Sequence, residues 1–134
     1  MAPDRSAQRL YWAGVLFAVG SGVHILDHLR RGQGSVTEPL YWAGNLALIV
    51  QVAVITLVLT RHRLAPLAAA AGGIPLAIGF LAAHWLPEWS ALSYLASTLE
   101  IIGALAVGLA GLAIVRRDGL ASFGRAGASQ ATAA

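Results

Sequence analysis

His24, Asp27 and His28 stand at spacings i, i+3 and i+4. On a helix this spacing puts all three side chains on one face, within about 6 Å of one another. Two more ionisable residues lie inside long apolar runs, His84 in residues 64–85 and Glu100 in residues 91–115. Imidazole with carboxylate is the donor set for Zn²⁺, Fe²⁺ or Mn²⁺, and imidazole alone also suits Cu²⁺. Histidines at i and i+4 can point at one ion, and His84 from a second helix closes the set, as metal sites in helical bundles do. His24, His28 and His84 are therefore the first candidate ligands of a transition metal, with Asp27 and Glu100 next. Asp27 either ligates or fixes a histidine tautomer from behind the metal. Glu100 completes the sphere, acts as a base or carries a proton. The His-x-x-Asp-His pattern is not the zincin motif, which is His-Glu-x-x-His.

The same residues suit other chemistry. A b-type haem needs facing histidines on two helices, for example His24 or His28 opposite His84, with Arg30 and Arg31 near the propionates. It leaves Asp27 and Glu100 unexplained. A proton- or ion-coupled permease needs polar groups along the whole path, and the inner halves of the third and fourth runs have almost none. A structural or accessory subunit of a larger membrane complex needs no site at all. Asp27 would then pair with Arg30 or Arg31, and His24 with Glu100, only to fix packing. The metal reading, as a metal-dependent membrane enzyme or redox protein, accounts for most of the unusual residues. His62, between Arg61 and Arg63, reads as plain surface.

The elements that must position these residues are membrane helices. Of the 134 residues 57% are hydrophobic and 11% charged, and the mean hydropathy is +0.70. Soluble domains carry about 25% charged residues. A chain this short cannot hide so much apolar surface from water, so the lipid bilayer is its main partner. Residues 10–29, 40–60, 64–85 and 91–115 are each long enough to cross a hydrocarbon core about 30 Å thick. In lipid a lone segment satisfies its backbone only as a helix. The expected fold is all-α: a four-helix transmembrane bundle of residues 1–117, up-down-up-down because the connections are short. Residues 118–134, rich in Ala, Gly and Ser, form a flexible tail. Pro75 predicts a kink in the third helix.

Charge gives the expected orientation. Arg5, Arg9, Arg61, Arg63, Arg116, Arg117 and Arg125 share one side, and only Arg30 and Arg31 the other. The positive-inside rule then places both termini in the cytoplasm of a plasma-membrane protein. Tyr41, Trp42, Trp85 and Trp89 fall at the outer interface, and Tyr11 and Trp12 at the inner one. The net charge of +3 carries no lysine and no basic patch, so nucleic acid is not an expected partner. Absence of cysteine excludes disulfides and thiolate ligands. Arg5 and Arg9 before an apolar run resemble a signal peptide loosely, but a retained helix is preferred, because cleavage would leave His24, Asp27 and His28 on a loose terminus. LYWAG occurs at residues 10–14 and 40–44. It reads as an aromatic anchor reused rather than as an inverted repeat. The stretch GALAVGLAGLA in the fourth helix offers a small-residue face for packing or homo-oligomerisation.

Overall fold

A computed structural model describes residues 4–32, 37–84 and 90–120. Among these residues there is no strand, and four helices are long and apolar enough to cross a membrane. They are α1 (Arg5–Arg31), α2 (Glu38–Leu59), α3 (Ala65–His84) and α4 (Ala91–Asp118). Trp85, Trp89, Arg125 and nearly all of the expected tail lie outside the described residues.

The helices start and stop on local chemistry rather than on hydrophobicity. α1 begins five residues before the apolar run because Asp4 caps it, its carboxylate accepting from the Ser6 amide at 2.9 Å. It ends at Gly32, which takes φ 81°, a conformation that favours glycine. α2 carries Pro39 in its first turn. It closes on Thr60 with Arg61 in the left-handed region at φ 53°. There the Arg61 amide bonds the Val58 carbonyl and the His62 amide the Leu57 carbonyl, which together form a Schellman motif. The Arg61 guanidinium sits 4.9 Å over the Tyr11 ring, a cation–π contact that holds the side chain at this turn. Within α3, residues Ala69–Gly73 form a π turn that ends two residues before Pro75. Proline lacks the amide hydrogen that the Ala71 carbonyl would take in an α-helix, and the wider register is a known way to absorb that loss.

The last helix packs extensively against both the first and the third. α4 buries Ser93, Ser97, Glu100, Gly103, Val107 and Ile114 along one face, and α1 answers with Leu10, Phe17, Gly20, Ser21, His24 and Asp27. The approach is backbone to backbone. A Cβ added at Gly20 would lie 2.8 Å from the Leu99 carbonyl oxygen, and one at Gly103 would lie 2.6 Å from Phe17 Cα. On its other flank α4 meets α3, where Gly108 abuts Gly73 and Gly111 abuts Pro66 and Ala69. The glycines of GALAVGLAGLA are thus used inside the chain. α2 is the peripheral helix, burying only Gln51, Val54 and Val58. Its outward residues, such as Leu46, Ile49 and Val52, join Leu26, Leu29 and Leu95 in an exposed apolar sheath of the kind lipid covers.

At the end of the molecule away from the histidines, Arg117 donates to Asp4 at 3.1 Å and to the Ser6 hydroxyl at 2.9 Å. The hydrogen bond from Arg117 holds the Asp4 carboxyl below the usual carboxylate range. A depressed carboxyl stabilises the fold above its unfolded value and loses that contribution as pH falls through the folded one. Asp4→Asn is therefore expected to leave stability at pH 3 nearly unchanged and to lower it slightly at pH 7. Thermal unfolding at the two pH values checks this.

Candidate metal centre

α1 presents His24 and His28 one turn apart, and α3 ends on His84. Their ring centroids are 4.5 Å apart for His24 and His28, 4.7 Å for His24 and His84, and 6.2 Å for His28 and His84. Each ring offers a nitrogen that lies within 4.8 Å of the other two. Nitrogens bound at about 2.0–2.1 Å to one tetrahedral ion are roughly 3.3 Å apart. The widest pair has to close by at most about 1.5 Å, a distance that side-chain torsions cover. Two helices far apart in sequence thus bring three of the five expected residues together.

Hydrogen bonding fixes how the His84 ring is turned. His84 Nδ1 donates to the Phe80 carbonyl at 2.8 Å. In the neutral ring this leaves the lone pair on Nε2. His24 Nδ1 lies 3.5 Å from Glu100 Oε2 and 3.4 Å from the Ser97 hydroxyl. Glu100 is 1% exposed, and its Oε2 has no hydrogen-bond partner among the described residues. A buried acceptor left without a donor costs about 1–3 kcal/mol. Closure by about 0.5 Å would let the His24 Nδ1–H donate to it. That hydrogen bond would set the lone pair of His24 on Nε2 as well, the arrangement by which carboxylates and carbonyls orient metal-ligating imidazoles. His28 differs: its Nδ1 accepts a long contact of 3.4 Å from Arg31.

Glu100 is also anchored. Its Oε1 accepts from Gln51 Nε2 at 2.6 Å, and the same amide nitrogen donates to the Ser21 hydroxyl. Ser21 in turn donates to the Phe17 carbonyl at 2.7 Å. This knot ties α1, α2 and α4 together at the level of Glu100. Because it orients Glu100 towards His24, Glu100→Gln is a sharp probe. The substituted side chain can still accept from Gln51, but its amide nitrogen cannot accept from His24. Metal affinity is expected to fall about 10–100-fold, as loss of an orienting partner does, with the fold retained. Competition with a chelator of known affinity measures it.

Asp27 stands apart from the three histidines. Its Oδ1 accepts from Arg30 at 2.7 Å and its Oδ2 from Arg31 at 2.8 Å. Arg30 also reaches the Ser90 and Ser93 hydroxyls at the start of α4. With both carboxylate oxygens engaged, Asp27 is bound into the α1–α4 contact. Asp27→Ala is expected to destabilise the protein by about 1–3 kcal/mol, below the range for a fully buried pair because Arg30 is half exposed. Metal stoichiometry at saturation should not change. Chemical unfolding and elemental analysis of the variant test the two halves of this statement.

A cavity of about 400 Å³ opens beside the histidines, between α1, α2 and α3. His24, His28 and His84 form part of its wall, with Gln51 and Asn45 as other polar groups. Asn45 itself donates to the Tyr41 carbonyl at 3.0 Å. His62 is exposed in the turn after α2, far along the helices from this site. Comparison with protein-family models, with curated proteins and with solved structures finds no match to the chain.

Sequence reasoning did not find Ser21 or the orienting role of Gln51. A lone glutamine in an otherwise apolar span, at the depth of Glu100, was the available signal for Gln51. The Phe80 carbonyl had none, since every residue carries one.

Proposed function

We propose that this chain is a four-span protein of the plasma membrane that binds one transition metal ion through His24, His28 and His84. The observation that carries the reading is the convergence of three imidazoles from two helices within 4.8 Å. Glu100 is an orienting carboxylate for His24 rather than a ligand, and Asp27 a structural anion held by Arg30 and Arg31. Three protein ligands leave a fourth position for water or substrate, as catalytic sites do and closed structural sites do not. The metal supplies Lewis acidity or redox chemistry at that position. The donor set fits zinc, iron and copper alike.

The spans run up-down-up-down with both termini cytoplasmic. Support comes from the arginines at the Asp4 end and from contacts between successive helices. Gly14 early in α1 meets Val58 late in α2, and Pro66 at the start of α3 meets Gly111 late in α4. The histidines then lie in the extracytoplasmic half. Ring spacing favours an ion over a haem. The His24 ring lies 4.5 and 4.7 Å from the other two, in the space that a macrocycle between His28 and His84 would need.

Purification in detergent, elemental analysis and a visible spectrum test the proposal. One metal ion per chain and no Soret band are expected. Absence of metal after dialysis against each of zinc, iron and copper would overturn it, leaving the His24–Glu100 contact as a packing device. A Soret band would replace the ion by haem.

A further inference from the structure

The metal site sits in a wall rather than in a closed core. At its end of the molecule α2 stands off from α1 and α3, and the gap is the cavity of about 400 Å³, within the size range of ligand pockets, about 300–1,000 Å³. Apart from the histidines, Gln51, Asn45 and the Tyr41 hydroxyl, its lining is apolar: Ile25, Leu29 and Leu48 contribute, and all three are exposed, Leu29 at 73%. Residues that line a cavity and also face outward form a lateral opening. In a membrane helix that opening faces hydrocarbon. The three histidines stand together on the α1 and α3 side, with Asn45 and Gln51 on α2, so a guest is offered metal-binding chemistry at the histidines and mainly apolar surface along the rest.

Resting on the metal reading above, we infer that the cavity is the binding site of a single-chain amphiphile that enters sideways from the bilayer. Its oxygen-donor head group takes the open coordination position beside His24, His28 and His84, and its hydrocarbon tail lies between α1 and α2. Gly44 marks the tail's course. It lines the cavity, and a Cβ added there meets nothing within 4 Å. A larger side chain at this position therefore takes cavity space without disturbing a packed neighbour.

The test uses the full chain in detergent, loaded with Co²⁺ and titrated by its visible bands with dodecanohydroxamic acid or acetohydroxamic acid. Both carry the same chelating head, and only one carries a tail. Gly44→Phe and Leu48→Trp are compared with the unsubstituted protein at one micelle concentration, so that partitioning cancels. The expected result is at least a tenfold loss of dodecanohydroxamate affinity in one of the variants, with acetohydroxamate affinity changed less than twofold and Co²⁺ content unchanged. If both variants keep the long-chain affinity, or if they weaken the two hydroxamates alike, the amphiphile site is overturned and the metal site stands. A chain that holds no Co²⁺ at all overturns the metal reading and this inference together.

Discussion

Gly20→Val is expected to push α1 off α4 and to weaken metal binding in the same step. The added Cβ would fall 2.8 Å from the Leu99 carbonyl oxygen and 2.9 Å from Glu100 Cα. These are backbone atoms, which cannot rotate away as a side-chain tip can. Relief requires the helices to separate. Overpacking of a tight interior costs about 1–3 kcal/mol and occasionally more, and a rigid neighbour on the partner helix puts this case at about 3 kcal/mol or above. Separation also moves His24 away from Glu100, since both flank the contact. Gly22 supplies the control on the same helix. A Cβ there meets nothing within 4 Å, so Gly22→Ala should be neutral or stabilising by up to about 1 kcal/mol through helix propensity. Unfolding in a graded detergent series, followed by circular dichroism, ranks the two variants. Equal stability would contradict the packing described for α1 and α4.

His24→Ala is expected to have the largest effect on metal affinity of any single histidine change. The residue is 6% exposed, and its ring is central to the three. Its loss removes one ligand and leaves Glu100 with nothing to orient. Loss of an orienting partner alone costs about 10–100-fold in affinity, so loss of the ligand together with that partnership should exceed about 100-fold. His84→Ala should approach the same value. His62→Ala, which removes an exposed histidine at the far end of the helices, should leave affinity unchanged. Chelator competition on the three proteins makes the comparison. A His62 effect equal to that of His24 would mean that binding is adventitious.

The four spans were legible in the sequence because hydrophobic runs of this length have no other stable state in lipid. The chemistry-bearing face of α1 was legible too, since the 3.6-residue period places Phe17, Gly20, His24 and Asp27 in line, and the structure buries all four. Helix ends were less so. α1 starts at Arg5 because of an Asp4 cap, and a polar first turn is invisible to a hydropathy reading. Which groups pair was harder still. Asp27 is the same residue type at ligand spacing whether it faces a metal or Arg30 and Arg31, and only three-dimensional placement separates the cases. Short connections implied that successive helices are neighbours. They did not show that α1 also packs extensively against α4, or that α2 stands at the periphery and leaves a cavity beside the histidines. That asymmetry follows from where the glycines of α4 meet Phe17 and Gly73, a matching of surfaces on different helices that no single segment displays.

X-ray absorption at the metal edge reads directly whether three imidazoles bind one ion. The purified protein, loaded with the metal that elemental analysis identifies, should show imidazole nitrogens at about 2.0–2.1 Å if the metal is zinc, with the multiple-scattering pattern of roughly three histidine rings. The pattern should fall to one ring or vanish in the His24→Ala, His84→Ala double variant. An oxygen-only shell, or a histidine pattern that survives in the double variant, would contradict the claim that these residues form the site.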